Sequence, residues 1–195
     1  MYRHFLKPPP LSRLAMLLFV IVPVASWVLV KPVRVLAPTL AGVTCPTSVI
    51  CLDDVAQLGA AADLYAEGTA FVAARVGAFG HAPRVIFCAS EACAASFGLG
   101  ERSAVTVGTI GTVIGPRAWK PYYLRHELIH QLQAENLGTI GVLLKPSWFV
   151  EGMAYALSDD PRAVLAAPWQ GYRAQFNAWN AGNSLPRLWA LAKDL

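Results

Sequence analysis

The run from Leu14 to Val30, Leu-Ala-Met-Leu-Leu-Phe-Val-Ile-Val-Pro-Val-Ala-Ser-Trp-Val-Leu-Val, contains no charged side chain. With Leu11 and Ser12 it approaches the ~20 residues that cross the hydrocarbon core of a bilayer. Arg13 and Lys31 bracket it, and Trp27 suits an interface. Pro23 would kink such a helix without forbidding it. The expectation is one uncleaved transmembrane helix over 14–30. A signal peptide cut after Ala41 is the rival; against it, the apolar run exceeds a usual h-region, and Lys31 and Arg34 precede any good small-residue site. The chain then divides into a basic segment (1–13), the anchor (14–30), a linker with Pro32, Pro38 and Gly42 (31–44), and one compact domain (45–195) long enough to bury its own core.

Charge around the run is only slightly uneven, with Arg3, Lys7 and Arg13 before it and Lys31 and Arg34 after it, which favours the N-terminus inside. Cysteine usage decides the orientation. Cys45, Cys51, Cys88 and Cys93 all follow the run, and an even count on one side fits an oxidising, extracytoplasmic compartment. Cys45–Cys51 and Cys88–Cys93 would close short loops, although four cysteines allow three pairings. Neither spacing is Cys-x-x-Cys, which counts against a zinc knuckle. The net charge of +4 carries little functional weight. No basic run with interleaved aromatics points to nucleic acid, and no glycine-rich phosphate loop precedes a helix.

His126-Glu127-Leu128-Ile129-His130 carries the chemistry. Residues four apart on a helix leave the same face, so one zinc ion can bind both imidazoles. Glu127 lies about 100° round the helix and flanks the metal, where it can take a proton from a water. Pro121 suits a first helical turn. Tyr123, Leu124, Leu128, Leu132 and Leu137 repeat at helical spacing, and Gly138 offers a stop, so the helix is predicted over 121–136.

Catalytic zinc usually takes three protein ligands and keeps an open position. His4 precedes the apolar run, and His81 sits in a loop, so the third ligand is sought among carboxylates. Glu135 is rotated about 140° off the ligand face. Asp159 and Asp160 precede Pro161 and read as a turn. Glu151 is better placed, on a helix predicted from Trp148 to Leu157 with Ser147 as its N-cap, whose aromatics would pack it against the first helix.

His126-Glu127-x-x-His130 followed by Trp148-Phe149-Val150-Glu151-Gly152-Met153-Ala154 resembles the gluzincin zinc metallopeptidases, and most of all the small peptidase-MA-like members whose second motif reads Trp-x-x-Glu-Gly-x-Ala. The resemblance covers roughly 53–157. It implies an α+β domain in which a small mixed or antiparallel sheet carries the active-site helix and the glutamate helix. It further implies Zn²⁺ held by His126, His130 and Glu151, with Glu127 as general base in peptide-bond hydrolysis. It also implies that an edge strand accepts the substrate in extended form. Thermolysin-like members place an aspartate one turn after the glutamate ligand; Tyr155 stands there instead and is weighed as a weaker partner for a histidine. Tyr155, Tyr172 and Arg173 are the candidates for a second oxyanion donor.

The remaining elements are read as a long helix over 53–76 begun by Asp53 and Asp54, a strand over 84–88 and a short helix over 90–97. Strands over 103–108 and 111–114 follow, then helices over 161–167 and 172–179. The resulting expectation is a membrane-anchored zinc metallopeptidase with a peptide or protein substrate. Two readings compete with it: a non-catalytic zinc domain that binds a peptide or partner, and a zinc amidase acting on cell-wall peptides. Oligomeric state and cleavage specificity have no signature in the sequence.

Overall fold

The computed structural model describes residues 11–195, so the basic residues Arg3 and Lys7 of the first segment lie outside it. Helical backbone begins with α1 (Leu11–Met16), passes through a π-helical turn (Leu17–Ile21) and resumes as α2 (Val22–Leu29). This corrects the single helix expected over 14–30. Pro23 donates no N–H and its ring crowds the carbonyl four residues back, so the ladder widens there and the Val22 N–H reaches Leu17 O instead. Among the described residues no helix is long and apolar enough to cross a membrane.

Residues 31–41, read above as linker, form two 3₁₀ segments, Lys31–Leu36 and Pro38–Ala41, with Val35 fully buried. They are tied down by polar contacts: Lys31 Nζ donates to Ala95 O at 3.1 Å and Arg34 donates to Ser96 O at 2.6 Å. The domain then runs β1 (Ile50–Leu52), α3 (Leu58–Arg75), β2 (Val85–Phe87), α4 (Glu91–Ser96), β3 (Ala104–Val107) and β4 (Gly111–Ile114). The helices α5 (Pro121–Leu137), α6 (Thr139–Leu143), α7 (Ser147–Leu157), α8 (Trp169–Asn180) and α9 (Leu185–Lys193) complete it.

The sheet is small and mixed, in the order β1-β2-β4-β3. β1, β2 and β4 are parallel, and β3 joins β4 antiparallel as a hairpin. Side chains alternate between two buried faces. Ile50, Leu52, Val85, Phe87 and Ile114 face the main core, built with α3, α5, α7, α8 and α9. Cys51, Ile86 and Val113 face a second cluster with Val35, Phe97 and Leu99. That second layer is stapled by the disulfides Cys45–Cys51 and Cys88–Cys93. Each large apolar side chain fully buried in these layers contributes roughly 1.5–3 kcal/mol relative to exposure.

Two expectations differ in detail. Asp53 does not begin α3. Its carboxylate accepts from Ala89 N (2.7 Å), Ser90 N (3.1 Å) and Ser90 Oγ (2.6 Å), pinning the loop before α4, while Asp54 accepts from Ala56 N. The helix expected over 161–167 is irregular chain. The carbonyls of Arg162 and Ala163 accept from the Arg173 guanidinium, and Leu165 N donates to the Gln170 side chain, so the backbone there is satisfied from outside.

Candidate metal centre

Pro121 occupies the first turn of α5, as its missing N–H allows. Leu124, Leu128 and Leu132 are fully buried and seat the helix against α3 and the sheet. That leaves His126 and His130 on the opposite, half-buried face, directed into a cleft of about 530 Å³. α7 supplies the facing wall. Phe149, Met153 and Ala154 are buried, and Gly152 lets α8 approach so closely that a Cβ there would fall 2.3 Å from Tyr172 O. With that side of α7 occupied, Glu151 turns toward the histidines.

The three side chains converge. His126 Nε2 and His130 Nε2 are 3.1 Å apart, and the Glu151 carboxylate lies 3.6 Å from the first and 3.8 Å from the second. Donors bound at about 2.0–2.1 Å in a tetrahedral shell stand about 3.3–3.4 Å from one another, so the triangle matches such a shell to within a few tenths of an ångström. The group can hold a metal ion. Burial pushes the Glu151 carboxyl up, but the adjacent His126 and His130 rings outweigh it and hold it below its usual range.

Glu127 is 7 % exposed and faces the same cleft. Thr106, on β3, lies 2.8 Å from Glu127 Oε2 and 2.9 Å from Thr112 Oγ1. Thr106 Oγ1 also lies 2.9 Å from the Glu127 carbonyl oxygen, so its one proton is shared between two Glu127 oxygens, the carboxylate being the nearer, while Thr112 donates to Thr106. Oε1 is left toward the cleft. Gln133, fully buried, orders His130. Its amide NH₂ donates to Val150 O at 2.9 Å, which turns Oε1 toward His130 Nδ1 at 2.8 Å. Nδ1 must therefore carry the proton, and the Nε2 lone pair is presented to the cleft. One amide thus bridges α5 to the residue preceding Glu151.

The other candidates separate clearly. Tyr155 lines the cleft and packs edge-on against His126, ring centroids 4.4 Å apart, with no hydrogen bond from its hydroxyl to either histidine. Burial, and then the charge of Glu151, push its hydroxyl up to about 12. Tyr172 does not line the cleft, and Arg173 is spent on the carbonyls of Arg162 and Ala163. Glu135 accepts from Gly80 N, Asp159 lies 3.6 Å from Arg125, Asp160 pairs with Arg162, and His81 is exposed. The Arg162 guanidinium, in contrast, lines the cleft above Tyr122, Tyr123 and Tyr155.

Thr106, Gln133 and Arg162 have no part in the sequence motifs. Gln133 carried only the signal of an amide three residues after His130, within reach of its ring on a helix. Thr106 carried none, because its role depends on how a strand is laid against α5. No family model, curated protein or solved structure matches the chain.

Proposed function

We propose that the protein is a zinc-dependent peptidase of the gluzincin kind, held at a membrane by its N-terminal apolar segment with the domain on the oxidising side. The observation that carries the reading is the triangle of His126, His130 and Glu151 beside a buried, oriented carboxylate at Glu127. Two imidazoles and one carboxylate are the donor set of catalytic zinc in hydrolases of this kind. A zinc ion held there supplies Lewis acidity to a carbonyl oxygen and brings the pKa of water from 15.7 toward about 7.

The chain's own residues do the rest. Glu127 accepts the proton of the attacking water and returns it to the leaving amine. Thr106 fixes the carboxylate's rotation by donating to Oε2, so Oε1 is the basic atom. Tyr155, kept neutral by its raised pKa and packed beside His126, is the hydroxyl donor we assign to a developing oxyanion. β3 is a sheet edge with one paired side, and Arg102 to Thr106 line the cleft, so an extended substrate pairs with it by strand addition.

The membrane assignment rests on side chains that have no protein partner to cover them, from Leu14 (46 % exposed) through Phe19 (79 %) to Leu29 (78 %). Two disulfides agree with an extracytoplasmic domain. The test is Glu127→Gln in the full chain. It should retain zinc and lose about 10²–10⁴-fold in cleavage of a peptide library. Equal turnover by variant and wild type, or zinc retention unchanged in Glu151→Ala, refutes the assignment. A reporter fused after Leu195 that functions only in the cytoplasm refutes the orientation.

A further inference from the structure

Few large apolar side chains outside the N-terminal segment are exposed, and most of them fall on one surface. Leu36 (57 %), Leu40 (76 %), Ile110 (40 %), Ile140 (75 %), Leu143 (79 %) and Leu144 (80 %) make up the group; Val55, Val164 and Leu195 are the others among the described residues. The β3–β4 turn joins the group together. Gly111 lies against Val35, so that a Cβ there would stand 2.9 Å from Val35 Cγ1, and Leu36 is the next residue. Gly108 lies against Thr139, where a Cβ would stand 2.7 Å from Oγ1, and Ile140 is the next residue. Ile110 sits on the turn between these two contacts. Ile140 and Leu143 on one short helix at a cleft rim, and Leu144 just after it, are exposed with no partner within the fold, which marks an interaction surface.

Charge identifies the partner. Residues 11–52, 102–126 and 136–150 carry this surface and the apolar segment that leads into it. None of the three stretches contains an aspartate or glutamate, while each contains cations, among them Arg34, Arg102 and Lys145. Within these stretches every charged side chain is a cation, and apolar side chains with such neighbours complement anionic lipid.

We propose that Leu36, Leu40, Ile110, Ile140, Leu143 and Leu144 seat the domain itself on an anionic bilayer. The cleft, whose rim includes Thr139, Val142 and Leu143, then opens at the lipid surface. This rests on the membrane reading above and adds to it a fixed face of the domain and a substrate class, polypeptide held at or emerging from the membrane. The face cannot swing freely, because Lys31 and Arg34 clamp the segment after α2 onto the carbonyls of Ala95 and Ser96.

The test uses the full chain in vesicles of phosphatidylethanolamine and phosphatidylglycerol, with an environment-sensitive label at Ile110→Cys, Leu143→Cys or Val55→Cys. Val55 follows the end of β1 whereas Ile110 precedes the start of the parallel strand β4, so the two mark opposite ends of the sheet. Equal thermal midpoints and intact native cysteine pairs show that the three proteins fold alike. Lipid-borne nitroxides should quench the labels at 110 and 143 several-fold more than the label at 55, at a depth of about 5–10 Å. Equal quenching at all three sites in vesicle-bound protein overturns this inference alone. A label at 143 shielded by dimerisation without lipid also overturns it, in favour of a second copy on this face. Failure of the chain to float with vesicles overturns the membrane reading as well. None of these readouts depends on peptide cleavage.

Discussion

Gln133→Leu removes the amide that joins the two ligand helices while keeping an apolar-compatible volume. Two hydrogen bonds disappear, one from the His130 ring at 2.8 Å and one to Val150 O at 2.9 Å. A donor left unpaired in a buried site costs about 1–3 kcal/mol. Part of that appears in the stability of the metal-free protein, as α5 and α7 lose a tie. The rest appears in binding, because nothing then holds the His130 tautomer with Nε2 free. Loss of such a partner lowers metal affinity about 10–100-fold, which is about 1.4–2.7 kcal/mol. Zinc affinity measured by competition with a chromogenic chelator reads the second part; denaturant unfolding of the metal-free protein reads the first. Gln133→Glu separates the two further. It restores an acceptor for Nδ1–H but sets a carboxylate against the Val150 carbonyl, so affinity should recover while stability stays low. Wild-type zinc affinity in Gln133→Leu, alongside a measured loss of stability, would show that Gln133 is only a packing residue and refute the reasoning.

Two further outcomes follow from packing and charge. Gly152→Ala forces a Cβ against the α8 backbone at Tyr172, which cannot yield as a side chain can. Unfolding should cost about 1–3 kcal/mol less in that variant, as for overpacked cores, and an unchanged thermal midpoint would mean that α8 shifts freely. Burial pushes the Asp53 carboxyl up, but the Ser90 hydroxyl and the N–H groups of Ala89 and Ser90 outweigh it and hold the group below its ordinary 3.8. Its contribution is therefore present above that value and fades as pH falls through the lower folded value. Asp53→Asn should flatten the acid limb of a pH series of unfolding measurements; an unaltered limb would place the acid sensitivity elsewhere.

The histidine helix α5 was legible to within a residue because both ends are punctuated, by Pro121 and by Gly138, and the histidine spacing marks the face turned to the cleft. α7 was legible from its aromatics, although Ser147 opens the helix rather than capping it. β1 escaped because three consecutive buried residues, Ile50, Cys51 and Leu52, show no polar alternation when both faces of a sheet are covered. The second layer escaped for a related reason. Residues 31–41 have the proline content of a linker, and only tertiary contact with the sheet makes Val35 a core residue. α6 was hidden by Gly141 and its β-branched neighbours, which suit no long helix. The three residues that could hold a metal ion lie on elements close in sequence and so leave a motif. The groups that orient them do not, since Thr106 reaches Glu127 from a strand and Gln133 acts through a backbone carbonyl of another helix.

Thr106 ties these two kinds of information together. Its strand is a free edge of the sheet, and its hydroxyl holds the carboxylate that, in the proposed reaction, takes the proton of the attacking water. Thr106→Val keeps the shape and the β-branched strand preference while deleting the donor. The change leaves Thr112 without its acceptor and Glu127 Oε2 without its donor. A hydrogen bond to a charged group contributes about 1.5–3 kcal/mol. If the bond mainly aims the base, the loss falls on turnover, about 10–100-fold in kcat, while zinc affinity and KM stay near wild type. If Thr106 chiefly serves substrate pairing, KM rises instead and kcat holds. Steady-state kinetics on one peptide distinguishes the two. A variant that keeps both constants would show that the carboxylate at 127 is aimed by its helix alone, and that the contact from β3 is incidental to the chemistry.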